Sequence, residues 1–129
     1  MAEERYERGW EKLMTIDGEG GQRVIESLAD IAPDLGKYVI EFAFGDIYSR
    51  EGLDFKQRQL VTLASLTTQG GCEPQLQVHL HASLNVGLSP REIIEAIMQC
   101  VPYTGFPRVL NAVFAAKRVF QERGVSLSL

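Results

Sequence analysis

Apolar residues recur along this chain at three- and four-residue intervals, and almost nowhere in alternation. Trp10, Leu13 and Met14 fall at i, i+3 and i+4, which predicts a first helix over residues 2–14. The run Asp17-Gly18-Glu19-Gly20-Gly21 should end it. Val24, Leu28 and Ile31 predict a second helix over 23–31, turned by Asp30-Ile31-Ala32-Pro33. Pro33 suits the first turn of a third helix. Leu35, Tyr38, Val39, Phe42, Ala43 and Ile47 give that helix a wide apolar face up to about Tyr48. After Ser49-Arg50-Glu51-Gly52, Asp54 is placed to N-cap a fourth helix over 55–68. Its dense apolar set, Leu60, Val61, Leu63, Ala64 and Leu66, predicts a mostly buried rod.

Gly70 and Gly71 break that rod, and Pro74 starts a fifth helix that runs to Val86, with Gly87 as the glycine beyond its C-cap. Ser89-Pro90-Arg91-Glu92 spells an N-cap, a first-turn proline and a glutamate three residues on, the pattern of a capping box. The sixth helix carries Ile93, Ile94, Ala96, Ile97 and Met98 and is expected to reach Tyr103. Gly105-Phe106-Pro107 breaks it. A seventh, from Pro107 to Glu122, carries Val109, Leu110, Val113, Phe114 and Phe120, and Gly124 ends it before a loose tail. No hairpin signal appears, so the expectation is an all-α fold of about six to seven helices in a single domain spanning residues 1–129.

Composition narrows the function. A net charge of −4 gives no support for nucleic-acid binding. No apolar run approaches the roughly 18 residues that a membrane helix needs. The start, Met1-Ala2-Glu3-Glu4-Arg5-Tyr6, lacks the apolar core of a signal peptide. Two cysteines, Cys72 and Cys100, make no disulfide framework, which fits a reducing cytoplasm.

The chemistry concentrates between Gln69 and His81, which holds one cysteine and both histidines. Cys72, Gln75 and His79 are spaced i, i+3, i+7 and share one face of the fifth helix. A helix start favours thiolate, while Glu73 beside Cys72 opposes it. A redox dithiol needs a second thiol in reach, and the position three on is Gln75. Cys100, among apolar neighbours, reads as core packing. His79 suits a general acid or base, or equally a core histidine bonded to a neighbour. His81 lies about 200° round the helix from His79, so the two cannot share a metal, and no other group has metal-ligand spacing. Arg58 is either the solvated head of an apolar rod or a carboxylate clamp. Arg108 is a second such candidate, and Tyr103 beside a helix break can offer a hydroxyl or simply pack.

These residues carry a resemblance. Ala32-Pro33-Asp34-Leu35, Glu41-Phe42-Ala43-Phe44-Gly45-Asp46-Ile47-Tyr48, Arg58-Gln59-Leu60-Val61-Thr62-Leu63-Ala64, Gly70-Gly71-Cys72-Glu73-Pro74-Gln75-Leu76 with His79, Ala82-Ser83-Leu84-Asn85-Val86-Gly87, Glu92-Ile93-Ile94-Glu95 and the stretch from Tyr103 to Ala112 together resemble the carboxymuconolactone decarboxylase family, small helical proteins related to alkylhydroperoxidase D. The resemblance implies an antiparallel helical fold, assembled as a homohexamer. In its peroxidase branch a glutamate, a Cys-x-x-Cys pair and a histidine form a proton relay. Cys72 and His79 match the first cysteine and the histidine, Gln75 replaces the second cysteine, and Gln59 stands near the place of the glutamate. In the decarboxylase branch the positions of His81 and Gln59 are commonly Arg and Glu. The activity implied is cofactor-free decarboxylation of γ-carboxymuconolactone or a related lactone or dicarboxylate. Within it His79 is assigned the proton, Gln75 and the helix-start N–H groups the oxyanion, and Arg58 the substrate's carboxylates, with Arg108 and Tyr103 as further binding candidates and His81 taking part only across a subunit interface. The alternatives are an antioxidant protein using Cys72 as its single peroxidatic thiol, and a non-catalytic binding protein of the same fold.

Overall fold

The computed structural model describes residues 2–126. It is all-helical, with no strand among the described residues, and it falls into two compact units that meet in sequence between Phe55 and Lys56. The tail expected after Gly124 lies, beyond Ser126, outside the described residues.

The first unit holds α1 (Ala2–Ile16), α2 (Glu19–Leu28), α3 (Pro33–Tyr38) and a π-helix, π1 (Val39–Ile47). Gly9, Leu13 and Ile16 form the buried stripe of α1. Gly9 lets α1 close directly on the backbone of π1, since a Cβ there would overlap the Ile40 carbonyl. Arg5 donates to both carboxylate oxygens of Asp46, and Arg8 Nε donates to the Gly45 carbonyl at 2.9 Å.

The structure refines three expectations in this unit. The first helix ends at the expected run, with Asp17-Gly18 as the turn, but Gly20 and Gly21 lie inside α2. Gly21 is a packing residue, because a Cβ there would come within 2.7 Å of Leu13 and Asp17. The third helix stays helical to Ile47, but its second half widens to the π form, with the Tyr48 N–H bonded to the Ala43 carbonyl. Its apolar residues also divide differently from the sequence reading. Ile40 and Phe44 are buried, whereas Leu35, Tyr38, Phe42 and Ile47 face outward.

The second unit holds α4 (Phe55–Gln69), α5 (Glu73–Asn85), α6 (Pro90–Met98), α7 (Val101–Thr104) and α8 (Phe106–Glu122). Its core gathers Leu63, Leu76, Leu80, Ile93, Ile97 and the alanine-rich face of α8 with Phe120. The end of α5 and the start of α6 follow their sequence signals. Gly87 N–H bonds to Leu84 O and Leu88 N–H to Ser83 O, the paired bonds of a Schellman stop. Ser89 and Glu92 cap each other's backbone N–H at 3.0 and 2.9 Å. Those bonds hold the Glu92 carboxyl below its ordinary range.

The sixth predicted helix is cut in two. Pro102 has no N–H for the Met98 carbonyl, so α6 stops at Met98 and a separate short α7 follows. The buried line of α4 is Gln59, Leu63 and Thr67, two of them polar, while Val61 faces outward. On α8 the residues Phe106, Leu110 and Phe114, one turn apart, are exposed.

Candidate active site

Cys72 is the N-cap residue of α5, and its carbonyl accepts the Leu76 N–H at 2.8 Å. Its thiol is half-buried and caps nothing. The sulfur lies 3.4 Å from the Gly70 carbonyl and 3.9 Å from Gln69 Oε1. Both partners are acceptors, so they bond a thiol and offer no donor to a thiolate.

Gly70 and Gly71 reach the start of α5 through two successive left-handed conformations, at φ +70° and +69°. Arg108, at the start of α8, lays its side chain over Gly70. A Cβ on Gly70 would stand 2.6 Å from Arg108 Nε. Thr68 and Thr104 share a hydroxyl hydrogen bond of 3.1 Å, which ties the end of α4 to the end of α7. Arg108 and the Cys72 loop are therefore neighbours. Tyr103, one residue before Thr104, is 82% exposed.

His79 sits two turns along α5, about 10 Å of helix rise from Cys72. Its Nδ1 lies 3.2 Å from Oε1 of Gln59, which is wholly buried on α4. An amide oxygen only accepts, so with Oε1 as the partner this contact is a hydrogen bond in the Nδ1–H tautomer, the form that leaves the lone pair on Nε2. Burial pushes the imidazole down to about 4, so the ring is neutral at pH 7. Thiol and imidazole share no hydrogen bond; each has its own set of partners.

His81 is held elsewhere. Arg123 Nη1 donates to its Nδ1 at 3.2 Å, so its Nε2–H donates to Glu122 Oε2, also at 3.2 Å. Both ring nitrogens latch α5 to the end of α8, and Arg123 also reaches Asn85 Oδ1 at 3.0 Å. The two histidines, two residues apart, thus hold opposite tautomers. Gln75 is exposed on α5, and Arg58 is half-buried on α4 beside Gln59. Cys100 is buried in the core with its sulfur 3.6 Å from the Ala96 carbonyl.

Of the residues singled out from sequence, the structure brings Arg108 to the Cys72 loop. It pairs His79 with Gln59, and it leaves His81 on a different face. The contact between Gly70 and Arg108 had no signal in the sequence. Gln59 had one, because a polar residue begins the i, i+4, i+8 stripe that α4 buries. Among the described residues no three His, Cys, Asp or Glu side chains converge as metal ligands do, and no helix is long and apolar enough to cross a membrane.

Known proteins place the chain in a family. The model of the carboxymuconolactone decarboxylase family matches residues 33–118. The 4-carboxymuconolactone decarboxylase of Acinetobacter baylyi is 36% identical over 125 residues, covering 96% of this chain and 92% of that protein. An uncharacterized 15.0 kDa protein of Paracoccus denitrificans is 34% identical over 76% of this chain and 74% of its own length. The nitrosuccinic acid decarboxylase of Metarhizium robertsii is 31% identical over 65% of this chain and 58% of its own length. The chain belongs to the carboxymuconolactone decarboxylase family.

Proposed function

We propose that this protein is a cofactor-free carboxy-lyase acting on a small carboxylated lactone or dicarboxylate, with γ-carboxymuconolactone the first substrate to test. Two relatives named as decarboxylases support the reaction class. The observation that carries the choice within the family is the isolation of Cys72. The other thiol, Cys100, is enclosed in the core, and position 75 is glutamine, so no dithiol can form at the site.

The reaction asks little of the protein. The C–CO₂ bond breaks and its electron pair moves through the ring double bond onto the lactone carbonyl oxygen. Carbon then takes a proton as the carbonyl reforms, so each turnover consumes one proton and releases CO₂. The protein has to hold the carboxylates, stabilise the oxyanion and deliver the proton. Arg108 and Arg58 supply the guanidinium groups. Gln75 and the first N–H groups of α5 face the oxyanion, and Nε2 of His79 handles the proton. The outward Phe106, Leu110 and Phe114 support self-association, for which a homohexamer is the expected form.

Turnover of authentic γ-carboxymuconolactone by the purified protein, run beside a peroxide-consumption assay, tests the reading. CO₂ release that survives Cys72→Ser supports it. Peroxide consumption abolished by the same change, with no lactone turned over, replaces it with the single-thiol antioxidant.

A further inference from the structure

Position 59 decides how the histidine can be used. Gln59 is wholly buried, and its amide oxygen meets Nδ1 of His79. A carboxylate in that place would serve as a built-in counter-ion for a protonated ring, whereas an amide bonds the ring equally in direction but carries no charge. The neighbouring elements do not supply the missing charge. Lys56 and Arg58 on α4 are cations. On α6, Glu92 is bonded at Ser89, and on α8, Glu122 is bonded to His81. Glu73, Arg91, Glu95, Arg108, Lys117 and Arg118 complete the charged set on α5, α6 and α8. None of them shifts His79, whose low proton affinity has burial as its cause.

We propose that Gln59 is a positioning residue which fixes His79 in its Nδ1–H tautomer and, being neutral, leaves the counter-charge of the protonated ring to an anionic carboxylate ligand at Nε2. The anion and a proton from water are then taken up together. In the proposed decarboxylation, the Nε2 proton passes to the carbon that accepts it and the ring returns to neutral. CO₂ departs, and the proton is replaced from water at the next binding. A neutral ligand gains nothing from this arrangement. The inference rests on the decarboxylase reading only for the fate of that proton.

Long-range ¹H–¹⁵N NMR of the imidazoles in the intact protein tests it without turnover. The wild type should show His79 as the Nδ1–H tautomer. In Gln59→Glu the titration midpoint should rise by about one unit or more, a tenfold or greater gain in proton affinity. Succinate, used as a dicarboxylate probe, should raise the midpoint in the wild type and raise it less in that variant. An Nε2–H tautomer in the wild type overturns the proposal whether or not any variant folds. Gln59→Leu provides a second variant, in which loss of the acceptor should mix the tautomers. An unchanged midpoint in Gln59→Glu, or no response to succinate in the wild type, overturns the charge argument. If these results come out as expected and no lactone is turned over, the proposed reaction falls and the tautomer assignment stands.

Discussion

Arg108 lies so closely over Gly70 that a single Cβ there would meet its Nε at 2.6 Å. Residue 70 therefore sets where the guanidinium sits relative to Cys72. Gly70→Ala is expected to cost about 1–2 kcal/mol, because φ is +70° and left-handed backbone strains other residues by that much. It should also displace Arg108. Gly71 supplies the control: its φ is +69°, but nothing stands within 4 Å of a Cβ added there. Gly71→Ala should show the same loss in a urea melt. If Arg108 holds a substrate carboxylate, Gly70→Ala and Arg108→Ala should each raise KM with little change in kcat. The double variant should then be no worse than Arg108→Ala alone. Additive effects on KM would separate Gly70 from Arg108.

Asp17 is buried at the end of α1, and its Oδ1 has no hydrogen-bond partner. Burial raises its carboxyl to about 7 from an ordinary 3.8. A carboxyl raised in the folded state stabilises that state below pH 4 and loses its contribution as pH climbs toward 7. The span corresponds to about 4 kcal/mol at most. Asp17→Asn removes the titration, so α1 and α2 should be more protected than wild type at pH 8 and no better at pH 4. Amide hydrogen exchange on those helices measures it. Equal protection at pH 8 would show that the carboxylate is solvated.

The buried stripe of α4 contains a second orphan, Thr67 Oγ1, a fully enclosed hydroxyl with no partner. Thr67→Val keeps the shape and discards the unpaired oxygen. It should leave the melting temperature unchanged or raise it by the equivalent of about 1 kcal/mol. Leu63→Ala, one turn away on the same stripe, should cost about 2–5 kcal/mol. A Thr67→Val loss as large as that of Leu63→Ala would mean that the hydroxyl has a partner.

These contrasts mark where the sequence could be read and where it could not. Helix positions follow from apolar spacing, and ends such as Gly87 and the Ser89/Glu92 box follow from backbone groups that need partners within a few residues. Such effects are local, so a local pattern reveals them. The widening of π1 and the outward turn of Leu35, Tyr38 and Phe42 depend on what α1 presses against, which periodicity does not record. Pro102 was a readable signal, since its missing N–H separates α7 from α6. At the site, the shared face of Cys72, Gln75 and His79 was visible in their spacing. The tautomers of His79 and His81 were not, because each is fixed by residues about 20 and about 40 positions away, Gln59 in one case and Glu122 with Arg123 in the other.

His79 and Asp17 should make the two units answer acid in opposite directions. The folded-state affinity of His79 is lowered from 6.5 to about 4. A group depressed in this way contributes stability that is complete above 6.5 and is lost as pH falls toward 4, because the unfolded chain binds the proton first. The loss amounts to about 3 kcal/mol across that window. It should appear in the exchange of α5 amides, while α1 and α2, governed by Asp17, become more protected over the same range. His79→Gln removes the ionisable ring and should flatten the response of α5. It should also lower decarboxylase turnover by about 100-fold or more, the scale on which a proton-transfer group contributes. A parallel loss of protection in α1, α2 and α5 between pH 7 and pH 4 would assign the acid response to the whole chain rather than to these two groups.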